Sequence, residues 1–264
     1  MFIVIGDTGN DFIYGSIAIF ALLEVWSPRR ALKYSVLVRW SSNFSLGFIN
    51  IFVNFALFTV LGIGAAATVG QNDWGLLNLV SWPSAVEIPL TILVLDCAFY
   101  WEHRLLHAVP VMWRAHLVHH SDLDIDFSTA VRHHPFEVFI SVGFIIPIVA
   151  ALGAPPLGVL MFLIWRAIFA NFTHANFALG DPLDRAMRLL IVTPDMHRIH
   201  HSAIQSETDS NFGDLFPFWD RLFGTYHAQP ANGHAGMRIG LDYLDNPRQL
   251  WLDRLLGQPF TNPP

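Results

Sequence analysis

Eight of the thirteen histidines in this 264-residue chain stand in three short groups. YWEHRLLH (100–107) sets His103 and His107 four apart. HLVHH (116–120) places His116, His119 and His120 at i, i+3 and i+4, and HRIHH (197–201) repeats that pattern with His197, His200 and His201. Residues three and four apart share a face of a helix, so each group is expected to turn its imidazoles toward a common point. Neutral imidazole ligates Fe, Zn, Cu and Ni alike; the residue type points to a metal without choosing it. Eight imidazoles exceed what one four-coordinate zinc takes, whereas two metals use them all at four or five ligands each. Metal-scavenging tracts are low in complexity, and these segments are not. The single cysteine, Cys97, excludes disulfides and cysteine-based zinc sites.

The elements that must position these groups are apolar. The chain is 53% apolar and 14% charged, with a mean hydropathy of +0.42. Five blocks are nearly free of charge: Phe12–Trp26, Phe44–Val69, Val86–Tyr100, Val138–Leu152 and Leu157–Phe172. A spanning helix needs about 20 mostly apolar residues. Phe44–Val69 and Leu157–Phe172 with its flanks meet this, and Phe12–Trp26 and Val138–Leu152 are short. The expected fold class is all-α: a helical integral membrane protein of about four or five apolar helices (12–26, 44–69, 86–100, 138–152, 157–173). A histidine-rich helical cap comes from 101–137 and 174–264, and 1–264 forms one membrane-embedded domain. The last two blocks are either full spans or a re-entrant hairpin; both return the chain to the same side.

Of the 15 Lys and Arg, Arg29, Arg30, Lys33 and Arg39 follow the first block and Arg104, Arg114 and Arg132 the third. Seven lie beyond residue 180, and Arg166 alone stands inside a block. Segments 1–11, 70–85 and 153–156 have none. Basic loops stay in the cytoplasm, so those three segments are expected outside and the histidines outside the blocks on the cytoplasmic face. Trp26, Trp74, Trp82 and Trp101 fall near the expected interfaces, as indoles prefer. Asp7 and Asp11 occupy the place where a cleavable signal peptide would be basic. A net charge of −6 with no basic patch argues against nucleic acid.

HxxxH, HxxHH and HxxHH in this order, beside apolar blocks, resemble the fatty acid hydroxylase/sterol desaturase superfamily. The likeness runs from Asp96 to about Tyr226 through DCAFYWEHRLLH, HLVHHSD, TPDMHRIHHS and DSNFGDLFPFWDRLFGTYH, the last two most similar to the alkylglycerol monooxygenase-like branch. The resemblance implies a non-haem centre of two irons that activates O2 and oxidises a lipid C–H bond, acyl, alkyl or sterol. Hydroxylation is expected ahead of desaturation. A zinc-only hydrolytic or structural site, and a non-enzymatic zinc-binding membrane protein, are the competing readings; zinc can also replace iron during overexpression. Reducing O2 to water takes four electrons and the substrate supplies two, so a separate electron donor is expected, with lipid and membrane as the other partners. A bacterial inner membrane is favoured over endoplasmic reticulum.

The resemblance also implies a ninth histidine between the second and third groups, for which His174 in NFTHANF is the candidate. A helix from Pro156 rises about 27 Å to reach it, close to one hydrocarbon thickness. The expected ligands are therefore His103, His107, His116, His119, His120, His174, His197, His200 and His201. Asn171, nearly one turn before His174, is expected to hold a metal-bound water. Asp96 is a charge inside an apolar block, which is costly and usually functional. Asp96, Tyr100, His103 and His107 form one helical stripe. Metal-bound histidines donate their second N–H to an acceptor, which Asp96 can supply; the alternative is a buried ion pair with Arg104.

Pro135 suits a first helical turn and makes His134 a boundary residue rather than a ligand. His133, His227 and His234 have no partner at ligand spacing. SDLDIDFST (121–129) alternates Asp122, Asp124 and Asp126 like a calcium loop, but Phe127 and His133 stand where glycine and glutamate belong. A solvated loop is expected there. The tail PRQLWLDRLLG (247–257) either lies along the membrane surface or packs as an ordinary helix.

Overall fold

Apolar segments in lipid must close their backbone hydrogen bonds within themselves, and helices do so in the described apolar segments. The computed structural model describes residues 6–57 and 74–261. Among these the chain forms no β-strand, only isolated bridges between Pro28 and Phe177 and between Ser202 and Ile239. The elements that matter here are α1 (Gly6–Trp26), α2 (Val36–Leu57), α3 (Ser84–Ala108), α4 (Pro110–His120), α5 (Pro135–Leu152), α6 (Pro156–His174), α7 (Asp181–Met187) and α8 (Pro194–His200). Four of them, α2, α3, α5 and α6, are long and apolar enough to cross a membrane. Residues 58–69 of the second apolar block and 70–73 of the 70–85 segment lie outside the described residues.

Each helix runs beyond its apolar block, because hydropathy marks a change of solvent and not the end of a helix. The difference matters most in α3. Its 25 residues span about 37 Å against a hydrocarbon thickness of about 30 Å. The excess at its C-terminal end carries His103 and His107. The helix stops at Val109, before Pro110, which opens α4. In α2 the buried face is polar, with Arg39, Asn43, Asn50 and Asn54, while Phe44, Phe48, Phe52 and Phe55 face outward. Arg39 is therefore a buried helical residue and not a loop charge.

His134 ends the stretch before α5 as its N-cap, its Nδ1 accepting the Phe136 N–H at 3.1 Å. α5 ends at Gly153, whose φ of 64° is left-handed, and Pro155 leads into α6. Gly75 approaches this turn so closely that a Cβ on it would lie 2.2 Å from the Gly153 nitrogen. α6 packs against both α1 and α3, and α2 against α5. The main apolar cluster joins Leu95 and Phe99 of α3, Ile145 of α5 and Phe162 of α6 with Leu215. The tail folds as an ordinary packed helix: in Leu252–Gly257, Leu255 is buried against Leu46, Leu117 and Val118, while Trp251 stays exposed.

Candidate metal centre

α3 supplies His103 and His107, α4 supplies His116, His119 and His120, and His174 is the last residue of α6. α8 carries His197 and His200 and ends on His201 as its C-cap. The nine rings sort into two groups, His103, His107, His116, His120 and His200 in one, and His119, His174, His197 and His201 in the other. Each offers nitrogens within 4.8 Å of one another. Neither HxxHH triplet converges on one point as expected; each is divided. His116 and His120 enter the first group and His119 the second, while His197 and His201 enter the second and His200 the first. The helix dictates this, since i and i+4 differ by about 40° in azimuth whereas i+3 and i+4 differ by about 100°.

The ring nitrogens have distinct surroundings. In the first group, the Nδ1–H of His103 donates to the Phe212 carbonyl (3.0 Å), of His107 to Asp209 (3.1 Å), of His116 to Glu137 (2.9 Å) and of His200 to the Ser210 carbonyl (2.8 Å). In the second, that of His119 donates to the Arg132 carbonyl (3.3 Å) and that of His174 to the Ala170 carbonyl (2.8 Å). Carbonyls and carboxylates only accept, so Nδ1 carries the proton, and in a neutral ring Nε2 is then a bare lone pair. Burial, and then the neighbouring imidazoles, hold His120, His197, His200 and His201 well below the ordinary histidine range, as burial and His133 do for His119. These rings are neutral at pH 7.

The Nε2 atoms point at one another. His119 Nε2 lies 3.1 Å from His174 Nε2, although both rings spend their proton on a carbonyl. His197 Nε2 stands 3.0 Å from His174 and 3.3 Å from His201. In the first group His120 Nε2 is 3.1 Å from His107 and 3.2 Å from His116, and a single N–H on His120 can answer only one of them. The Nε2 atoms of His103 and His200 are buried without a hydrogen-bond partner among the described residues. Two nitrogens each about 2.1 Å from one ion sit roughly 3.0–3.4 Å apart, the spacing observed. A cation in each group turns facing lone pairs into shared ligation, and this donor set fits one.

Other expected site residues fall elsewhere. Asp96 takes no histidine N–H and does not pair with Arg104. Its carboxylate accepts the backbone N–H groups of Leu215 (3.0 Å) and Phe216 (3.3 Å) and the Trp219 indole (2.8 Å). The guanidinium of Arg104 lies over the Trp101 ring instead. Tyr100 shares a hydrogen bond with Thr225 at 2.8 Å and stacks on Phe223. Asn171 donates to Ser16 at 2.9 Å. Glu137 and His133, neither of them among the expected ligands, stand against the centre. Glu137 accepts at 2.9 Å from the Nδ1–H groups of both His116 and His133, and the His133 ring lies flat on His119, 4.5 Å between centroids at 7°. The signal was a carboxylate four residues after a histidine in RHHPFE.

The 121–129 loop is not solvated. Asp122 and Asp126 are fully buried around Arg39, at 2.7 Å and 2.5 Å. Against its burial, Arg39 and then Arg132 hold the Asp122 carboxyl at about 2. Asp124 accepts the backbone N–H groups of Lys33 and Tyr34.

A family model for fatty acid hydroxylases matches residues 88–225, which include all nine of these histidines. The chain belongs to the fatty acid hydroxylase family. It is 33% identical over 160 residues to human alkylglycerol monooxygenase, covering 60% of this chain and 34% of that protein. It is 31% identical over 163 residues to the ornithine lipid hydroxylase of Rhizobium tropici, covering 60% and 47%. A very-long-chain aldehyde decarbonylase of Oryza sativa is 28% identical over 136 residues, 48% of this chain and 21% of that protein. The chain thus spans between about a third and a half of the length of its more similar relatives. No solved structure matches.

In this family member a cavity of about 140 Å³ opens beside the histidines. His103 and His116 of one group and His119, His174 and His197 of the other line it, opposite Phe99, Val142, Ile145 and Leu163 from α3, α5 and α6. Arg166, paired with Asp214 at 2.6 Å, also reaches its wall.

Proposed function

We propose that this chain is an O2-dependent oxidoreductase that hydroxylates a C–H bond of a membrane lipid, with two irons held by the nine histidines. The observation that carries it is the facing of Nε2 atoms at 3.0–3.3 Å in both groups, with the Nδ1 protons of six of the nine rings committed outward. The relatives named a monooxygenase and a lipid hydroxylase support lipid oxidation as the reaction class. Iron, when bound, supplies the one-electron chemistry that dioxygen needs. The chain's residues do the rest. Outer acceptors fix the tautomers of His103, His107, His116, His119, His174 and His200, so those nitrogens need no reorganisation. The apolar wall of α3, α5 and α6 takes an alkyl segment and keeps bulk water from the reacting carbon. Electrons come from a separate donor protein or reductant. We place the histidine face in the cytoplasm, in a bacterial inner membrane, and treat 1–264 as one membrane-embedded oxygenase domain.

The test is elemental analysis of protein purified without added metal, paired with O2 uptake under a reductant and a lipid extract. Two irons per chain and lipid-stimulated uptake are expected. His120→Ala and His201→Ala, one from each group, should lose bound metal and uptake while still inserting. Full metal and full uptake in both variants would overturn the ligand assignment. Tightly held zinc with no uptake from any donor would favour a zinc-binding membrane protein.

A further inference from the structure

A cavity built only for an alkyl chain would be lined by carbon. This one carries a polar belt along one side. Asn50 of α2 donates its Nδ2–H to the His133 carbonyl at 2.9 Å, which fixes its Oδ1 as an acceptor. The His133 ring donates to Glu137, one turn before Ser141 on α5, and the Ser141 hydroxyl donates to Glu102 of α3. Glu102 stands next to His103 in sequence. Asn50, Glu102, Glu137 and Ser141 all line the cavity.

Each of three members keeps one oxygen with no hydrogen-bond partner among the described residues: Asn50 Oδ1, Glu102 Oε2 and Glu137 Oε2. Their side chains are at least 95% buried, at 3%, 2% and 5% exposure. Asn50 Oδ1 only accepts, and the two carboxyl oxygens accept when ionised. Leaving buried acceptors unmet is costly, so whatever fills this side of the cavity has to bring hydrogen-bond donors, and a methylene chain has none.

We infer that the cavity recognises a lipid through a donor-bearing head, hydroxyls or an ammonium group, held by Glu102, Glu137 and Asn50. The carbon oxidised then lies within a few bonds of that head, not deep in the chain. This rests on the cavity being the substrate site of the proposed hydroxylase. The alkyl tail leaves along Phe99, Val142 and Leu163 between α3, α5 and α6. Glu102 and Asn50 act as specificity residues; neither belongs to the two histidine groups.

The experiment is equilibrium binding to the metal-loaded protein in nanodiscs under argon, with four C16 probes. One pair is a monoalkyl glycerol with free hydroxyls and the same ether with both hydroxyls methylated. The other is hexadecylammonium and hexadecyltrimethylammonium, which keeps the charge and removes the donors. At least one pair should show about tenfold or greater preference for the uncapped head, and the pair that does identifies hydroxyl or ammonium. Glu102→Leu and Asn50→Leu should each shrink that ratio severalfold with bound metal unchanged. Equal binding within both pairs overturns the inference, as does a wild-type ratio in both variants. Head discrimination without lipid-stimulated O2 uptake would sink the hydroxylase reading alone. Uptake with capped heads bound as tightly as free ones would sink this inference alone.

Discussion

Glu137 joins two rings that stand on opposite sides of the divided α4 triplet. It accepts from His116, a member of the first histidine group, and from His133, which lies flat on His119 of the second. Losing such an acceptor releases the ring it orients and weakens metal affinity by about 10–100-fold. Glu137→Ala is expected to fall in that range in competition with a chelator. Glu137→Gln, which keeps an acceptor oxygen, should lose less, and His133→Leu, which leaves the His116 bond intact, less still. Wild-type affinity in Glu137→Ala would show that His116 is oriented by its backbone alone. The clustered histidines were legible in the sequence because helical spacing is local. Their supporting acceptors were not: His103, His107 and His200 lean on Phe212, Asp209 and Ser210, two of them through backbone carbonyls that any residue possesses. Asp96 shows the same limit. Its burial was legible, but what it holds is the 215–219 segment more than a hundred positions away, just past the Phe212 carbonyl that takes the His103 proton.

Among the elements, the join between α2 and the 121–129 loop depends on charge. Arg39 meets Asp122 and Asp126 with no exposure on any of the three side chains. Removing one partner of a buried ion pair costs about 3–5 kcal/mol, because the other is left uncompensated. Arg39→Leu should therefore destabilise the detergent-solubilised protein by about that much in chemical denaturation. Arg39→Leu combined with Asp122→Asn and Asp126→Asn should recover part of it. A triple variant no more stable than the single one would mean that the loop is fixed by its other contacts. Asp-x-Asp-x-Asp reads alike whether the aspartates face water, a cation or an arginine 83 positions earlier, so the sequence could not separate these cases. The apolar helices were legible because their composition is set by lipid along their whole length. Their ends were not, since α3 passes from lipid into protein without a break.

At the scale of the whole molecule, the expected orientation rests on counting cations, yet Arg39, Arg132 and Arg198 are fully buried and engaged inside the protein. The remaining basic residues still favour the histidine face inside. In a Cys97→Ser background, a cysteine at Leu79, exposed in the segment beside the α5–α6 turn, should react with an impermeant thiol reagent on intact cells. One at Ser206 should react only after lysis. The opposite pattern would invert the molecule and put the histidines outside. Asn72, the other natural position for such a probe, lies outside the described residues.

The division of each HxxHH triplet makes phase, not lettering, the information stored in these two helices. One residue is worth about 100° of azimuth. Loss of Leu117 or Val118 would bring His120 from i+4 to i+3 of His116, the phase that turns His119 to the partner set, although every histidine would still be present. Length between the histidines is therefore held as strictly as a reading frame, and a single insertion there does more damage than many exchanges of one apolar side chain for another.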